Sequence, residues 1–130
     1  MDKINSLILE VKRIIAQLRF VRLKMISYDE IRKYASLIAE RFHGASIVLF
    51  GSQARGDARP DSDVDLLVVM PFEGKGMRQA VAIRQELRAP FALDLVVRRP
   101  DEIATRTERR DFFLQDVMNT GLVLYDRGNI

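Results

Sequence analysis

Two aspartates one residue apart, Asp63 and Asp65, stand at the mouth of an apolar run, Leu66-Leu67-Val68-Val69. Alternate side chains of a strand share a face, so this spacing sets the two carboxylates side by side. Like charges there repel, and folding gains nothing from them. A divalent cation removes the repulsion, because hard ions such as Mg²⁺ take carboxylate oxygens and keep water and phosphate oxygens as their other ligands. Upstream, the run Ser46-Ile47-Val48-Leu49-Phe50 ends in Gly51-Ser52. Glycine lets backbone approach a phosphate closely, and the amides that open a following helix form an anion cradle. The Ser52 hydroxyl is placed to donate to a terminal phosphate oxygen. Arg55, one turn on, either reaches the same phosphates or lies on the surface. The stretch reads as a site for a metal and a triphosphate.

A third carboxylate, Asp94, lies within Ala92-Leu93-Asp94-Leu95-Val96-Val97. Its neighbours predict a buried position, which is costly for a lone carboxylate unless it is paired or metal-bound. If its strand lies beside the one following Asp63, three carboxylates converge. Such a trio can hold two divalent ions roughly 3.5–4 Å apart, one activating a hydroxyl and the other clamping a leaving pyrophosphate. Asp94 is also a candidate to take the hydroxyl proton. The structural alternative is an ion pair with Arg98 or Arg99.

The elements that must position these groups follow from periodicity. Ile4, Leu7, Ile8, Val11, Ile14, Ile15, Leu18, Val21 and Met25 recur at helical spacing, predicting a helix on the order of 35 Å long. Ser27 with Glu30 forms a capping-box pattern for a second helix, with Ile31, Tyr34, Ala35, Ile38 and Phe42 on its apolar face and Gly44 closing it. Strands are expected over 46–50, 63–70, 91–98 and 122–125, the last at an edge. A helix over about 77–88 carries Ala80, Val81, Ile83 and Leu87 inward. Helical segments open at Pro100 and span about 109–119. The order predicts an α+β domain, a small mixed sheet with helices packed mainly on one face, preceded by the long N-terminal helix. Residues 1–26 form that helix and residues 27–130 the domain.

The chain has 130 residues, enough for one core, and 48% hydrophobic with 30% charged residues is a globular composition rather than a disordered one. The absence of cysteine excludes disulfides, thiolate zinc sites and cysteine nucleophiles, and fits a cytoplasmic location. Charges among the first apolar residues argue against a signal peptide or membrane span. A net charge of +3 favours polyanions, nucleic acid among them, but no aromatic-rich basic stripe for single strands is present. Arg106, Arg109 and Arg110 form a solvated face or steer an acidic partner. The N-terminal helix must pack on its own domain, a second copy or another protein.

Gly51-Ser52, ten intervening residues and Asp63-Val64-Asp65 resemble the Gly-Ser…Asp-x-Asp signature of the nucleotidyltransferase superfamily that includes DNA polymerase β. Ala54-Arg55-Gly56 and Ser62-Asp63-Val64-Asp65-Leu66 agree with it in detail. Asp94 occupies the third-carboxylate position, and Gly121-Leu122-Val123-Leu124-Tyr125 resembles the terminal strand of minimal nucleotidyltransferases (MNT). The resemblance spans about residues 30–126 and implies a polymerase-β palm-like fold. It further implies transfer of a nucleoside monophosphate, AMP from ATP, to an acceptor hydroxyl, with pyrophosphate released and two Mg²⁺ ions required. Gly51 and Ser52 then hold phosphates, and Asp63, Asp65 and Asp94 carry the metals. Minimal members often accompany a HEPN-domain ribonuclease toxin and act as antitoxins, some by adenylylating its tyrosine. No acceptor-binding domain is seen, which favours a protein acceptor. The competing readings are a non-catalytic antitoxin acting by occlusion and a small-molecule nucleotidyltransferase whose acceptor pocket is completed by a second copy.

Overall fold

Ser27 and Glu30 cap each other: the Glu30 N–H donates to Ser27 Oγ at 3.1 Å and the Ser27 N–H to Glu30 Oε2 at 2.9 Å. They open α2 (Tyr28–Arg41), which follows α1 (Lys3–Arg22). The computed structural model describes residues 3–22, 25–108 and 111–130, and their side chains at 3–15, 25–106 and 111–130. The chain continues through β1 (Ser46–Phe50), α3 (Gly51–Arg55), β2 (Val64–Val69), α4 (Gly76–Glu86) and β3 (Leu93–Arg98). It ends with α5 (Pro100–Glu108), α6 (Phe112–Thr120) and β4 (Leu122–Tyr125).

The four strands form one mixed sheet in the order β3-β2-β1-β4. β1 runs antiparallel to both β2 and β4, and β2 runs parallel to β3. A parallel pair needs a crossover, and α4 supplies it. β1 and β2 are apolar almost throughout because both faces of the sheet are covered. On one face Ile31, Tyr34, Ala35 and Ile38 of α2 and Ile83 of α4 pack on Ile47, Leu49, Leu66, Val68 and Val97, forming the larger core. On the other, Ile103, Leu114 and Val117 of α5 and α6 pack on Val48, Leu67 and Val69. This is the expected α+β architecture, with a smaller second layer closing the face that carries Asp65.

Several local expectations are corrected. α2 ends at Arg41 with Phe42 as its cap, and Gly44 (φ +76°) makes the turn into β1 instead of closing the helix. β2 begins at Val64, so Asp63 stands one residue before the strand, and β3 begins at Leu93. Val81 points to solvent: the inward face of α4 runs through Ala80 and Ile83. α6 starts at Phe112 behind an Asp111 cap, and Phe112 and Phe113 are exposed while Leu114 and Val117 are buried. Arg109 and Arg110 lie outside the described residues, as do residues 23 and 24, so α1 is described only to Arg22. No helix among the described residues is long and apolar enough to cross a membrane.

The outer edge of β3 is protected. Ala92 and Arg98 carbonyls accept from Val64 and Met70 N–H groups of the β2 side, so by alternation the Leu93 and Val97 carbonyls face outward. Arg84 Nη2 donates to Leu93 O at 2.6 Å and Arg98 Nη1 to Val97 O at 3.0 Å. These arginines occupy acceptors that would otherwise template another strand.

Candidate active site

Asp65 is the second residue of β2, paired in register with Phe50 of β1 on one side and Asp94 of β3 on the other. Partners in adjacent strands project to the same face, so the Asp65 and Asp94 side chains leave the sheet together. Asp63 precedes them on the loop from α3. The Ser62 N–H donates to Arg59 O at 2.9 Å, the Arg59 N–H returns a bond to Ser62 Oγ at 2.8 Å, and Gln53 Nε2 donates to Ser62 O at 3.4 Å. The residue before Asp63 is thereby tied to its own turn and to α3.

Gly51 closes the other side. Its φ of +71° is left-handed, and a Cβ built there would overlap the Asp65 carboxylate oxygen Oδ2. Only glycine satisfies both conditions. No side chain caps α3 at its start, and its end is turned by Gly56 (φ +85°), where Ser52 O accepts the Gly56 and Asp57 N–H groups. Ser52 is half-buried at the head of this turn. Arg55 is exposed and pairs with Asp57, Nε to Oδ2 at 3.4 Å.

The electrostatics single out Asp65. Burial pushes its carboxyl above the usual range, and the neighbouring Asp94 and Asp63 charges push it further; Arg55 opposes them in part. Asp94 departs from expectation. It is exposed: β3 is an edge strand, and no element among the described residues covers that end of it. It also forms no ion pair among the described residues: Arg98 is turned to the Val97 carbonyl, and Arg99 pairs with Asp101 and Glu102.

Three carboxylates thus open onto one end of one sheet face, hard oxygen donors whose mutual repulsion a divalent cation would relieve. Among the described residues no three Asp, Glu, His or Cys side chains are drawn together into a ready metal cage. Two features of the site were not legible in sequence. Gln53 gave no signal beyond being polar. Phe50 read only as the end of a strand, yet Phe113 packs edge-on against it at 5.5 Å and 82°, bringing α6 over the sheet beside α3.

A search of curated proteins finds no match. Among solved structures, the chain is similar to a candidate nucleotidyltransferase from Sulfolobus solfataricus at 20% identity, covering 73% of this chain and 76% of that one with a TM-score of 0.51. It is also similar to a structure of a toxin-antitoxin with AMP-PNP at 22% identity, covering 74% and 72%, with a TM-score of 0.48. The first of these likenesses shows the shared fold. The profile of the nucleotidyltransferase domain matches residues 31–123, a span from the first turn of α2 into β4 that includes every residue of the site just described. With well over half of its length matched, the chain belongs to the nucleotidyltransferase domain family.

Proposed function

We propose that this domain transfers AMP from ATP to an acceptor hydroxyl, with Mg²⁺ bound at Asp63 and Asp65 and completed by Asp94. The observation that carries the proposal is the register of β2 with β3, which sets Asp94 beside Asp65 on the edge of the sheet. When bound, the cation neutralises phosphate charge and acidifies the attacking hydroxyl. The chain's own residues divide the remaining work. Gly51 keeps the backbone at the start of α3 flush against Asp65, leaving room for the outer phosphates, and the Ser52 hydroxyl donates to one of their oxygens. Arg55 supplies a positive charge near the same oxygens once it exchanges Asp57 for them. Asp94, exposed on an edge strand, is open to an acceptor from outside and takes the hydroxyl proton. The acceptor oxygen bonds to the α-phosphorus as the bond to the β-phosphate oxygen breaks, and pyrophosphate leaves.

The acceptor is a protein, a HEPN-type toxin that this chain neutralises by adenylylation. Support comes from the sequence, where the Gly51-Ser52 and Asp63-Val64-Asp65 signature is joined by a terminal strand, Gly121–Tyr125, resembling that of minimal nucleotidyltransferases. The test is incubation with α-labelled ATP, Mg²⁺ and the protein encoded beside it. Label on that protein, lost with Asp65→Asn, is the expected result. Label on a small-molecule acceptor, or a blocked partner carrying no label, overturns the protein-adenylylation reading.

A further inference from the structure

Every described side chain of α1 from Lys3 to Ile15 is exposed. Leu7, Ile8, Val11, Ile14 and Ile15 each leave between 46% and 65% of their surface in water. A twenty-residue helix with such a face is marginal alone, and apolar surface of this kind marks an association site. The spacing specifies what covers it. Ile4, Leu7, Val11 and Ile14 step alternately by three and four residues, and the sequence continues the step at Leu18 and Val21. That is the seam of a coiled coil, whose natural partner is another helix with the same repeat. The described residues of the seam and its flank, Ile4, Leu7, Ile8, Val11, Ile14 and Ile15, are each 46–65% exposed, so their apolar surface is open to a second copy.

We infer that two copies of this chain pair through α1 as antiparallel helices, with the two-fold axis between Val11 and Ile14. The seam is symmetric about that point, which is also the midpoint of Lys3–Arg22. Antiparallel pairing about that point sets Val11 against the second copy's Ile14, and brings helix position 7 level with position 18 and position 4 level with position 21. Direction is decided by the flank. Ile8 and Ile15 follow Leu7 and Ile14 along one side of the seam. In an antiparallel pair like flanks meet, so Ile8 of one helix packs on Ile15 of the other. A parallel pair would set Ile8 against Lys3 and Ile15 against Glu10, leaving apolar groups beside charges. The interface is isologous and closes at two copies. Residues 1–26 are then an association element set apart from the nucleotidyltransferase domain of residues 27–130.

Analytical ultracentrifugation of the full chain tests the pairing. The wild type is expected at twice the 14.9 kDa chain mass, and Val11→Glu/Ile14→Glu at the single mass. Since the side chains replaced contribute nothing to the core, the melting transition of the domain stays in place, which separates loss of pairing from loss of folding. A monomeric wild type, or a dimer that survives the double substitution, overturns the inference. Direction is read by disulfide formation in this cysteine-free chain. Leu7→Cys mixed with Leu18→Cys should cross-link and neither should alone; cross-linking of Leu7→Cys by itself overturns the antiparallel arrangement.

Discussion

Asp65 and Asp94 occupy the same level of two parallel neighbouring strands, so their carboxylates share one face with no residue between them. Burial of one and the charge of the other act in the same direction, holding the Asp65 carboxyl above its ordinary range. The sheet therefore carries an electrostatic tension that the apolar cores on its two faces must outweigh.

This tension has a signature in pH. A carboxyl whose folded value is raised binds more protons folded than unfolded, so stability falls as pH climbs from the usual carboxylate value, about 3.9, through the raised one. Above that window Asp65 is ionised and the strain is fully present. In metal-free buffer the melting temperature is expected to decline as pH rises through this window toward neutrality. Mg²⁺ should recover part of the loss at neutral pH, and Asp65→Asn should flatten the profile and abolish the Mg²⁺ response. Scanning calorimetry across pH, with and without Mg²⁺, measures all three. A wild-type profile identical to that of the variant would remove the assigned coupling.

Gly51→Ala tests the packing beside the same carboxylate. Alanine at φ +71° is strained by about 1–2 kcal/mol, and its methyl must displace the Asp65 side chain as well. The expected loss is roughly 2–3 kcal/mol in denaturant unfolding together with loss of nucleotide transfer. Gly56→Ala, also left-handed but facing open space, is the control. It should show the backbone cost alone and retain transfer.

The elements legible in sequence were those set by short-range chemistry. The Ser27–Glu30 box, the apolar strands and the Gly51-Ser52 turn each declare themselves within a few residues. What escaped depended on partners distant in the chain. Asp94 read as buried because its flanking leucines are apolar, yet burial at that position depends on whether another strand lies beyond β3, and among the described residues none does. Val81 read as core because it sits among apolar residues, while the sheet selected Ala80 and Ile83, three residues apart on one side of α4. The helical spacing of the apolar residues in α1 was visible, but whether its own domain covers them was not, since that is a property of the assembled surface.

Asn129 had no sequence signal, and the structure gives it a large role. Its amide donates to Gly44 O at 2.8 Å and Val69 O at 3.2 Å, and its carbonyl accepts from the fully buried Ser46 hydroxyl. Ser46 Oγ in turn accepts the Arg127 N–H at 2.8 Å, which fastens the terminal segment to the start of β1. Asn129→Ala leaves a buried hydroxyl and two carbonyls short of partners, at an expected cost of about 2–3 kcal/mol. Denaturant unfolding should show a lowered midpoint with an unchanged slope. Because this cluster joins the start of β1 to the end of β2, away from the carboxylates, transfer by the folded fraction should be unaffected.

Asp94→Asn separates binding from transfer. Asp65 and Asp63 carry most of the cation's hold on the phosphates in the proposed arrangement, whereas Asp94, which only completes the cation's shell, stands on the exposed edge strand where the acceptor is proposed to arrive. Asparagine keeps the shape and hydrogen-bonding reach of the side chain but cannot take a proton. Removing a general base costs typically 10²–10⁴-fold in rate, so transfer should fall by about that factor. Binding of Mg²⁺–ATP, followed by equilibrium dialysis, should weaken far less than in Asp65→Asn. Because Asp94 is exposed and unpaired among the described residues, the melting temperature should hold or rise slightly as one of the charges acting on Asp65 disappears. Equal losses of nucleotide binding in the two variants would place Asp94 with the nucleotide instead of the acceptor, and the division of labour between the strands would have to be reversed.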